Sequence, residues 1–238
     1  MKIKLFEQLI RDDSLLETKI QQTLEYLSNK ENILFLTTSN RWEKEHTPKS
    51  TQLAYYFKEK LKNIKIIEVP ELNIYPCEGN VSAEGNNCGV KESLLKNKYK
   101  NPTGYHRCWA SINNKNDELW KISKEIFNSD TIILFGSVRW GSMNSYYQKL
   151  IERLTWLENR HTTLKESNIL KNKKIGLIIF GHNWNGKEVL KTQKQVLECF
   201  GFTIEDEIFW NYQYIENSED ETKKGYIEDE KNFKNVIK

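Results

Sequence analysis

The sequence predicts a three-layer α/β/α sandwich around a parallel sheet of five strands in the order 2-1-3-4-5. Short apolar runs without polar alternation, at residues 33–37, 131–135 and 175–180, are typical of strands that are covered on both faces. Patterns with one apolar helical face separate these runs along the chain. Because strand–helix–strand connections are right-handed, this alternation favours helices on both faces of one sheet.

The first elements precede a long loop. Residues 5–30 are predicted to form a helix with an interrupted apolar stripe of Leu15, Ile20, Leu24 and Leu27. Residues 33–37 form the first strand and residues 50–63 the next helix, after a polar loop. The second strand, residues 64–69, ends at Pro70, which cannot donate a hydrogen bond to a neighbouring strand.

Residues 71–116 show no convincing periodicity, and a loop of this length within a compact domain is usually functional or disordered. Its Cys and aromatic content favours an ordered excursion close to the functional site. Beyond it, helices and strands alternate again: a helix N-capped by Asp117, strand 131–135, helix 144–159, strand 175–180, helix 187–200 and strand 202–210.

The chain thus divides into an N-terminal helical extension, residues 1–31, a central domain, residues 32–210, and a C-terminal tail, residues 211–238, without a definite predicted element. Its net charge of +3 comes from 36 basic and 33 acidic residues that are well mixed, so no nucleic-acid partner is expected. Without an apolar run near the roughly 18 residues of a membrane span, and without a leader-like N-terminus, we expect a cytoplasmic protein that does not bind membranes.

Three turns are predicted to converge at one edge of the sheet, because the strands before them are parallel and their carboxyl ends share that edge. The turn after the first strand leads into a helix N-terminus, where hydroxyls, one Arg and free backbone N–H groups favour an anion such as a phosphate. A simple helix cap within a surface loop is the alternative. The candidate phosphate ligands are Thr38, Ser39, Arg41, Ser50, Thr51 and Gln52.

The other two turns offer groups for a planar, anionic, aromatic cofactor. Residues 136–142 are predicted to form a glycine-rich turn, and the candidates around it are Ser137, Val138, Arg139, Trp140, Gly141, Ser142 and Met143. Arg139 is a candidate partner for a cofactor carbonyl, for a nucleotide phosphate or for nearby Glu residues. The third turn contributes Gly181, His182, Asn183 and Trp184.

The segment Ser137-Val-Arg-Trp-Gly-Ser-Met143, followed by Lys149-Leu-Ile-Glu-Arg153, resembles the flavodoxin-like NAD(P)H-dependent FMN reductase and quinone reductase superfamily. The family segment typically reads Pro-x-Tyr-Trp-Gly-Ser-Met, before a helix with Lys and an Asp-Arg pair. The resemblance covers about residues 33–209. Ser137 and Arg139 depart from the family's Pro and aromatic residue, and the loop after the first strand is longer than usual.

This resemblance implies a flavodoxin-like fold and an oxidoreductase that passes electrons from NAD(P)H through bound FMN to a quinone, a nitro compound, a free flavin or a metal. It also implies a homodimer, whose interface the N-terminal helix and the tail could extend. No general acid or base is assigned from the sequence. Two other functions stay open: an electron-transfer protein that does not use nicotinamide, and a non-catalytic scaffold without FMN.

The cysteines allow metal sites as alternatives. Related iron–sulfur flavoproteins carry closely spaced cysteines after the second strand, whereas here Cys77 is followed only by Cys88 and Cys108. A zinc site from these three thiols and His106 has suitable ligand types but no common spacing. We therefore expect no metal, and thiols that pack as small hydrophobic groups.

Overall fold

The computed structural model describes residues 13–41, 46–85, 87–181, 184–214 and 221–238. In chain order its helices and strands are α1 (Asp13–Ser28), β1 (Ile33–Thr37), α2 (Lys49–Lys60), β2 (Ile64–Glu68), α3 (Trp109–Asn113), α4 (Leu119–Asn128), β3 (Thr131–Arg139), β4 (Ser142–Met143), α5 (Ser145–Thr162), β5 (Lys174–Gly181), α6 (Gly186–Cys199), β6 (Thr203–Gln213) and α7 (Lys223–Val236). Short 3-10 turns lie at Val69–Glu71, Asn80–Ser82 and Lys91–Ser93.

The sheet has the order β2-β1-β3-β5-β6, and these five strands are all parallel. The predicted fold class and strand order are therefore confirmed. Ile33 pairs with both Ile64 and Thr131, which makes β1 an interior strand. Consequently the carboxyl ends of β1, β3 and β5 meet at one edge of the sheet, where ligands bind in folds of this kind.

Both faces of the sheet are covered by apolar helix surfaces. On one face, α4, α5 and α6 bury residues such as Ile122, Leu150 and Leu197. On the other face, α1 and α2 bury residues such as Ile20 and Phe57. Each fully buried side chain of this size contributes about 1.5–3 kcal/mol relative to an exposed one. This two-sided burial explains why the strands read as apolar runs without alternation.

The helix α1 packs against β6 rather than standing apart from the sheet. The hydroxyl of Thr23 donates to the carbonyl oxygen of Glu207 at 2.8 Å and accepts from the indole nitrogen of Trp210 at 3.0 Å. Leu16 is buried, whereas Leu15 of the predicted stripe is exposed. The stripe was predicted one residue too early at this end of the helix, and residues 5–12 of the predicted helix lie outside the described residues.

Strand β3 is four residues longer than predicted, because Gly136 continues the strand instead of starting a turn. A Cβ atom on Gly136 would lie 2.6 Å from the Cε of Met143, so this glycine permits close packing. The turn is instead the two-residue hairpin Trp140–Gly141, which leads into β4 and has positive φ angles of 51° and 68°. We call the segment 138–143 the hairpin.

The C-terminal tail is part of the folded core. Strand β6 continues to Gln213, and α7 returns to the sheet after residues 215–220, which lie outside the described residues. The Phe233 ring is fully buried and meets the Phe180 ring edge-on, with 5.4 Å between the ring centroids. The sequence pattern predicted no definite structure for this segment, and the structure supplies a helix.

The described residues of the excursion predicted for residues 71–116 form short turns and the helix α3. An isolated bridge pairs Leu94 with Arg107, and the amide of Asn159 on α5 donates to the carbonyl oxygen of Cys88 at 2.6 Å. Helix α4 begins after Glu118, whose backbone replaces Asp117 at the N-cap. Within the described ranges, none of the helices combines the length and apolarity needed to cross a bilayer.

Candidate functional site

A cleft opens at the carboxyl edge of the sheet. Residues 39–41 and 48–50 form one side, the ends of β3 and β5 form the floor, and α7 closes the remaining side. Its lining residues are Ser39, Asn40, Arg41, Pro48, Lys49, Ser50, Ser137, Val138, Arg139, Phe180, Gly181, Tyr212, Tyr226 and Asp229. Seven of the residues predicted from the sequence lie in this lining: Ser39, Arg41, Ser50, Ser137, Val138, Arg139 and Gly181.

The start of α2 forms one side of the cleft. Ser50 donates a hydrogen bond from its hydroxyl to the hydroxyl of Ser39 at 2.9 Å, which fixes both groups beside the helix N-terminus. The N-cap residue is Pro48, which offers no side-chain acceptor to the first turn. The N–H groups at the start of a helix have no partner within the helix, so they are available to a bound anion.

The other three candidates of this loop lie behind the lining. Thr38 is buried, donates to the Phe135 carbonyl at 3.0 Å and accepts from the Asn144 amide at 3.1 Å, so it joins β1 to β3. The Gln52 amide donates to the Thr47 carbonyl at 2.5 Å. Thr51 is buried in the first turn of α2, and its hydroxyl has no hydrogen-bond partner among the described residues.

The hairpin forms the rim beside the floor. Trp140 is 96% exposed although it is the largest side-chain type, so it belongs to no core. Its positive φ angle is uncommon for a bulky residue and costs of order 1–3 kcal/mol. Strained, exposed positions of this kind cluster at functional sites. Of the other predicted hairpin residues, Ser142 is exposed and Met143 is buried under Gly136.

The loop after β5 is attached to this hairpin. The side-chain amide of Asn185 donates to the carbonyl oxygen of Gly141 at 2.8 Å. A Cβ atom on Gly141 would lie 3.4 Å from the Trp184 ring, which places this indole against the turn. The predicted candidates His182 and Asn183 lie outside the described residues. The two aromatic residues predicted for stacking, Trp140 and Trp184, therefore belong to neighbouring loops.

Residues of α7 complete the cleft, and sequence reasoning missed them. Asp229 forms an ion pair with Lys49, the first residue of α2, and only 2% of the Asp229 side chain and 13% of the Lys49 side chain are exposed. Tyr226 also lines the cleft, and burial together with a hydrogen bond to Glu221 raises its pKa to about 12. The spacing of Tyr226, Asp229 and Phe233 is typical of one helix face and could have indicated α7.

The cleft carries more positive than negative charge. Arg41, Lys49 and Arg139 line it, and Asp229 is the one carboxylate among the described lining residues. Within the described ranges, neither arginine forms an ion pair with a carboxylate. The cleft is therefore suited to an anionic ligand.

The cysteines and His106 do not form a metal centre in the part of the chain that the structure describes, where no three Cys, His, Asp or Glu side chains are arranged around one point. Cys88 and Cys108 are buried in the core, and burial raises the pKa of the Cys88 thiol to about 12. His106 is buried, its Nδ1 atom bonds the Ser123 hydroxyl at 2.8 Å, and burial lowers its pKa to about 3.

No protein-family model and no curated protein matches the chain. Among solved structures, RosB with its bound intermediate 8-demethyl-8-formylriboflavin-5'-phosphate is similar to 87% of this chain and 74% of that chain, at 16% identity and a TM-score of 0.57. The fold is flavodoxin-like.

Two further solved structures have lower TM-scores with this flavodoxin-like chain. An azoreductase from Bacillus anthracis is 15% identical over 87% of this chain and 97% of that chain, with a TM-score of 0.46. An NADPH-quinone reductase from P. pentosaceus is 8% identical over 87% and 95%, with a TM-score of 0.44. The similarity to RosB concerns the fold alone, and it agrees with the predicted flavodoxin-like fold.

Proposed function

We propose that the cleft binds FMN and that the protein is an oxidoreductase that passes electrons from NAD(P)H to a small acceptor, a quinone, a nitro compound, a free flavin or a metal. One observation carries this proposal. An anion-binding helix N-terminus and an exposed, strained tryptophan hairpin lie at the same edge of the sheet. This combination suits a ligand with a phosphate at one end and a flat ring at the other.

The phosphate would lie at the start of α2. The hydroxyls of Ser39 and Ser50, the guanidinium of Arg41 and the first backbone N–H groups of the helix supply donors, and the helix dipole favours a negative charge there. Hydroxyls, a guanidinium and free N–H groups can all donate to a phosphate, so this set fits the group, whereas the Thr51 hydroxyl is buried behind the lining and is not one of these donors.

The ring would lie along the ends of β3 and β5. Residues 137–139 and 181 border this part of the cleft. Trp140 follows Arg139 on the hairpin and Trp184 lies against Gly141; neither indole is in the lining, and we propose that they cover the bound ring. Covering an exposed indole with a planar ring removes apolar surface from water and adds a stacking interaction of about 0.5–1.5 kcal/mol. This gain would offset the strain at Trp140.

Bound FMN would supply the chemistry, which is acceptance of a hydride from NAD(P)H and transfer of electrons to the acceptor. The residues of the chain bind the cofactor, orient its ring and keep water from one face. We assign no side chain as a proton donor, because the raised pKa of Tyr226, about 12, makes its hydroxyl a weaker acid than that of an ordinary tyrosine. We further propose a homodimer, which light scattering of the purified protein tests.

The first test is the visible absorption spectrum of the purified protein with added FMN or riboflavin, followed by NADPH or NADH without oxygen. We expect an FMN complex whose flavin bands bleach with nicotinamide. Bands that persist would indicate an electron-transfer protein instead. Absence of any flavin complex after reconstitution would contradict the proposal and leave the non-catalytic scaffold.

The variant Arg41→Gln makes this test specific for the phosphate side. We expect it to weaken FMN binding about tenfold, in line with the loss of one charge-assisted hydrogen bond, and to leave riboflavin binding unchanged. Lys191→Gln, which removes a charge from the exposed surface of α6, is the matched control and should bind both flavins as the unaltered protein does.

A further inference from the structure

The ion pair between Lys49 and Asp229 joins residues that are 180 positions apart in the chain. It lies at the anion side of the cleft, because Lys49 is the first residue of α2 and both partners line the cleft. Both side chains are largely removed from solvent, unlike the pair of Lys194 and Asp206 on the surface. A buried charge keeps its effect on neighbouring charges, because water and salt screen it little.

Packing fixes the position of Asp229. One turn further along α7, Phe233 is fully buried against Phe180, and Val236 and Ile237 pack against the same core. Two contacts therefore hold the Asp229 carboxylate in place: the packing of the end of α7 against the core, and the ion pair with Lys49. This arrangement places a carboxylate beside the N-terminus of α2, the end of a helix that favours anions.

We infer that Asp229 is a specificity-determining residue, which acts as an internal counter-anion and sets the affinity of the cleft for a phosphate. This inference rests on the proposed function, in which FMN binds with its phosphate at the start of α2. Asp229 offsets the charge of Lys49 and opposes a second anion nearby. The unaltered pair contributes no net charge, so Arg41 and the helix N-terminus provide the remaining attraction.

Replacing one partner of the pair at a time changes its net charge in opposite directions. Asp229→Asn gives the pair a net charge of +1 and keeps a side chain of almost the same shape. Lys49→Gln gives the pair a net charge of −1. The double variant returns the pair to zero. A ligand with a phosphate therefore distinguishes these proteins by charge, and riboflavin, which has the same ring without the phosphate, serves as the matched control ligand.

The experiment measures dissociation constants of FMN and riboflavin for the four proteins by flavin fluorescence quenching. We expect Asp229→Asn to bind FMN about tenfold more tightly and Lys49→Gln to bind it at least about tenfold more weakly, since like charges at close range are strongly unfavourable. The double variant should lie within about threefold of the unaltered protein. Riboflavin affinity should change by less than about threefold throughout.

Two results would overturn the inference. If Asp229→Asn weakens FMN binding as Lys49→Gln does, or if both flavins change in parallel, the pair only holds α7 in place. Circular dichroism and urea unfolding confirm that each variant is folded. Lys49→Gln leaves a buried carboxylate unpaired, and if it fails to fold, Asp229→Asn and the double variant still decide the sign.

A different result separates this inference from the proposed function. If none of the four proteins binds either flavin, the flavin assignment fails. The same series is then titrated with inorganic phosphate and followed by NMR shifts of backbone amides. Tightest binding by Asp229→Asn and weakest by Lys49→Gln would support the inference without a flavin. Equal or absent phosphate binding in all four proteins would overturn it.

Discussion

Two regions of this molecule contain arginine side chains, and these arginines differ in what their guanidinium groups contact. Beneath the excursion, the Arg153 guanidinium donates to both carboxylate oxygens of Asp117, at 2.8 and 3.0 Å, and to the Tyr75 carbonyl at 2.6 Å. At the cleft, Arg41 and Arg139 face solvent without a carboxylate partner among the described residues. An arginine whose donors are used holds the fold together, whereas one with free donors is available to a ligand.

The electrostatics of the first region follow from its burial. Neither side chain of the Arg153–Asp117 pair is exposed. Burial alone would raise the pKa of Asp117, but hydrogen bonds from Arg153 and Ser111 hold that pKa below its ordinary value. The carboxylate therefore stays charged at neutral pH. The pair ties α5 to the end of the excursion.

Breaking this buried pair should give the largest effect on stability. We expect Arg153→Met to lower the free energy of unfolding by about 3–5 kcal/mol, because it leaves Asp117 buried without its cation. Urea denaturation followed by circular dichroism measures the change. Lys194→Met breaks the exposed pair with Asp206 and should cost no more than about 1 kcal/mol. Equal losses in the two variants would refute the distinction between buried and exposed pairs.

A neighbouring histidine makes the stability of this region depend on pH. Burial lowers the pKa of His106 from 6.5 to about 3, so only the unfolded chain binds a proton there between these values. The free energy of unfolding should therefore fall by up to about 1.4 kcal/mol per pH unit as the pH drops below 6.5. Asp117 contributes a further loss only below its ordinary pKa of 3.8.

The variant His106→Asn tests this origin, because its amide can still bond the Ser123 hydroxyl without titrating. We expect the fall in unfolding free energy between about pH 6 and pH 5 to shrink by about 1 kcal/mol relative to the unaltered protein. Measurements at pH 8 give each protein its own reference. An undiminished slope would assign the acid sensitivity to other groups.

The sequence predicted the sheet and the place of the cleft because both follow from local patterns. Apolar, β-branched runs such as residues 131–135 identify buried parallel strands, and the strand order then brings Ser39, Arg41 and Arg139 to one edge. No further information about side-chain packing was needed for this. The functional assignment of these residues stays a prediction.

The errors concern features that depend on contacts between distant segments. Gly136 resembled a turn residue, but it pairs with Ile179 of β5 and is therefore part of β3. Asp117 was predicted as the N-cap, which is Glu118; the Asp117 carboxylate still accepts from the N–H of Leu119 at 3.3 Å, but its main partner is Arg153, which no local pattern indicates. The contact of Lys49 with Asp229 depends on where α7 returns to the sheet, which no local pattern specifies.

The hairpin allows a test of whether strain at the cleft serves a ligand. A two-residue turn with two positive φ angles favours Asn-Gly, so Trp140→Asn should raise the free energy of unfolding by about 1 kcal/mol and weaken flavin binding. Gly141→Ala is the matched control, since a Cβ atom there would lie 3.2 Å from the Asn185 amide, and it should destabilise the protein. A loss of stability in Trp140→Asn would mean that the indole supports the fold.

The smallest effect on stability is expected at the cleft arginines, and it completes the comparison with Arg153. Arg139 is exposed and pairs with no carboxylate of the described chain, so Arg139→Gln should change the free energy of unfolding by less than about 0.5 kcal/mol. Its FMN affinity should nevertheless fall by roughly three- to tenfold, because the cleft loses one of its cations. Urea unfolding and flavin titration of the same preparation measure both quantities. A stability loss comparable to that of Arg153→Met, with FMN affinity unchanged, would place Arg139 among the residues that hold the fold instead of those that hold a ligand.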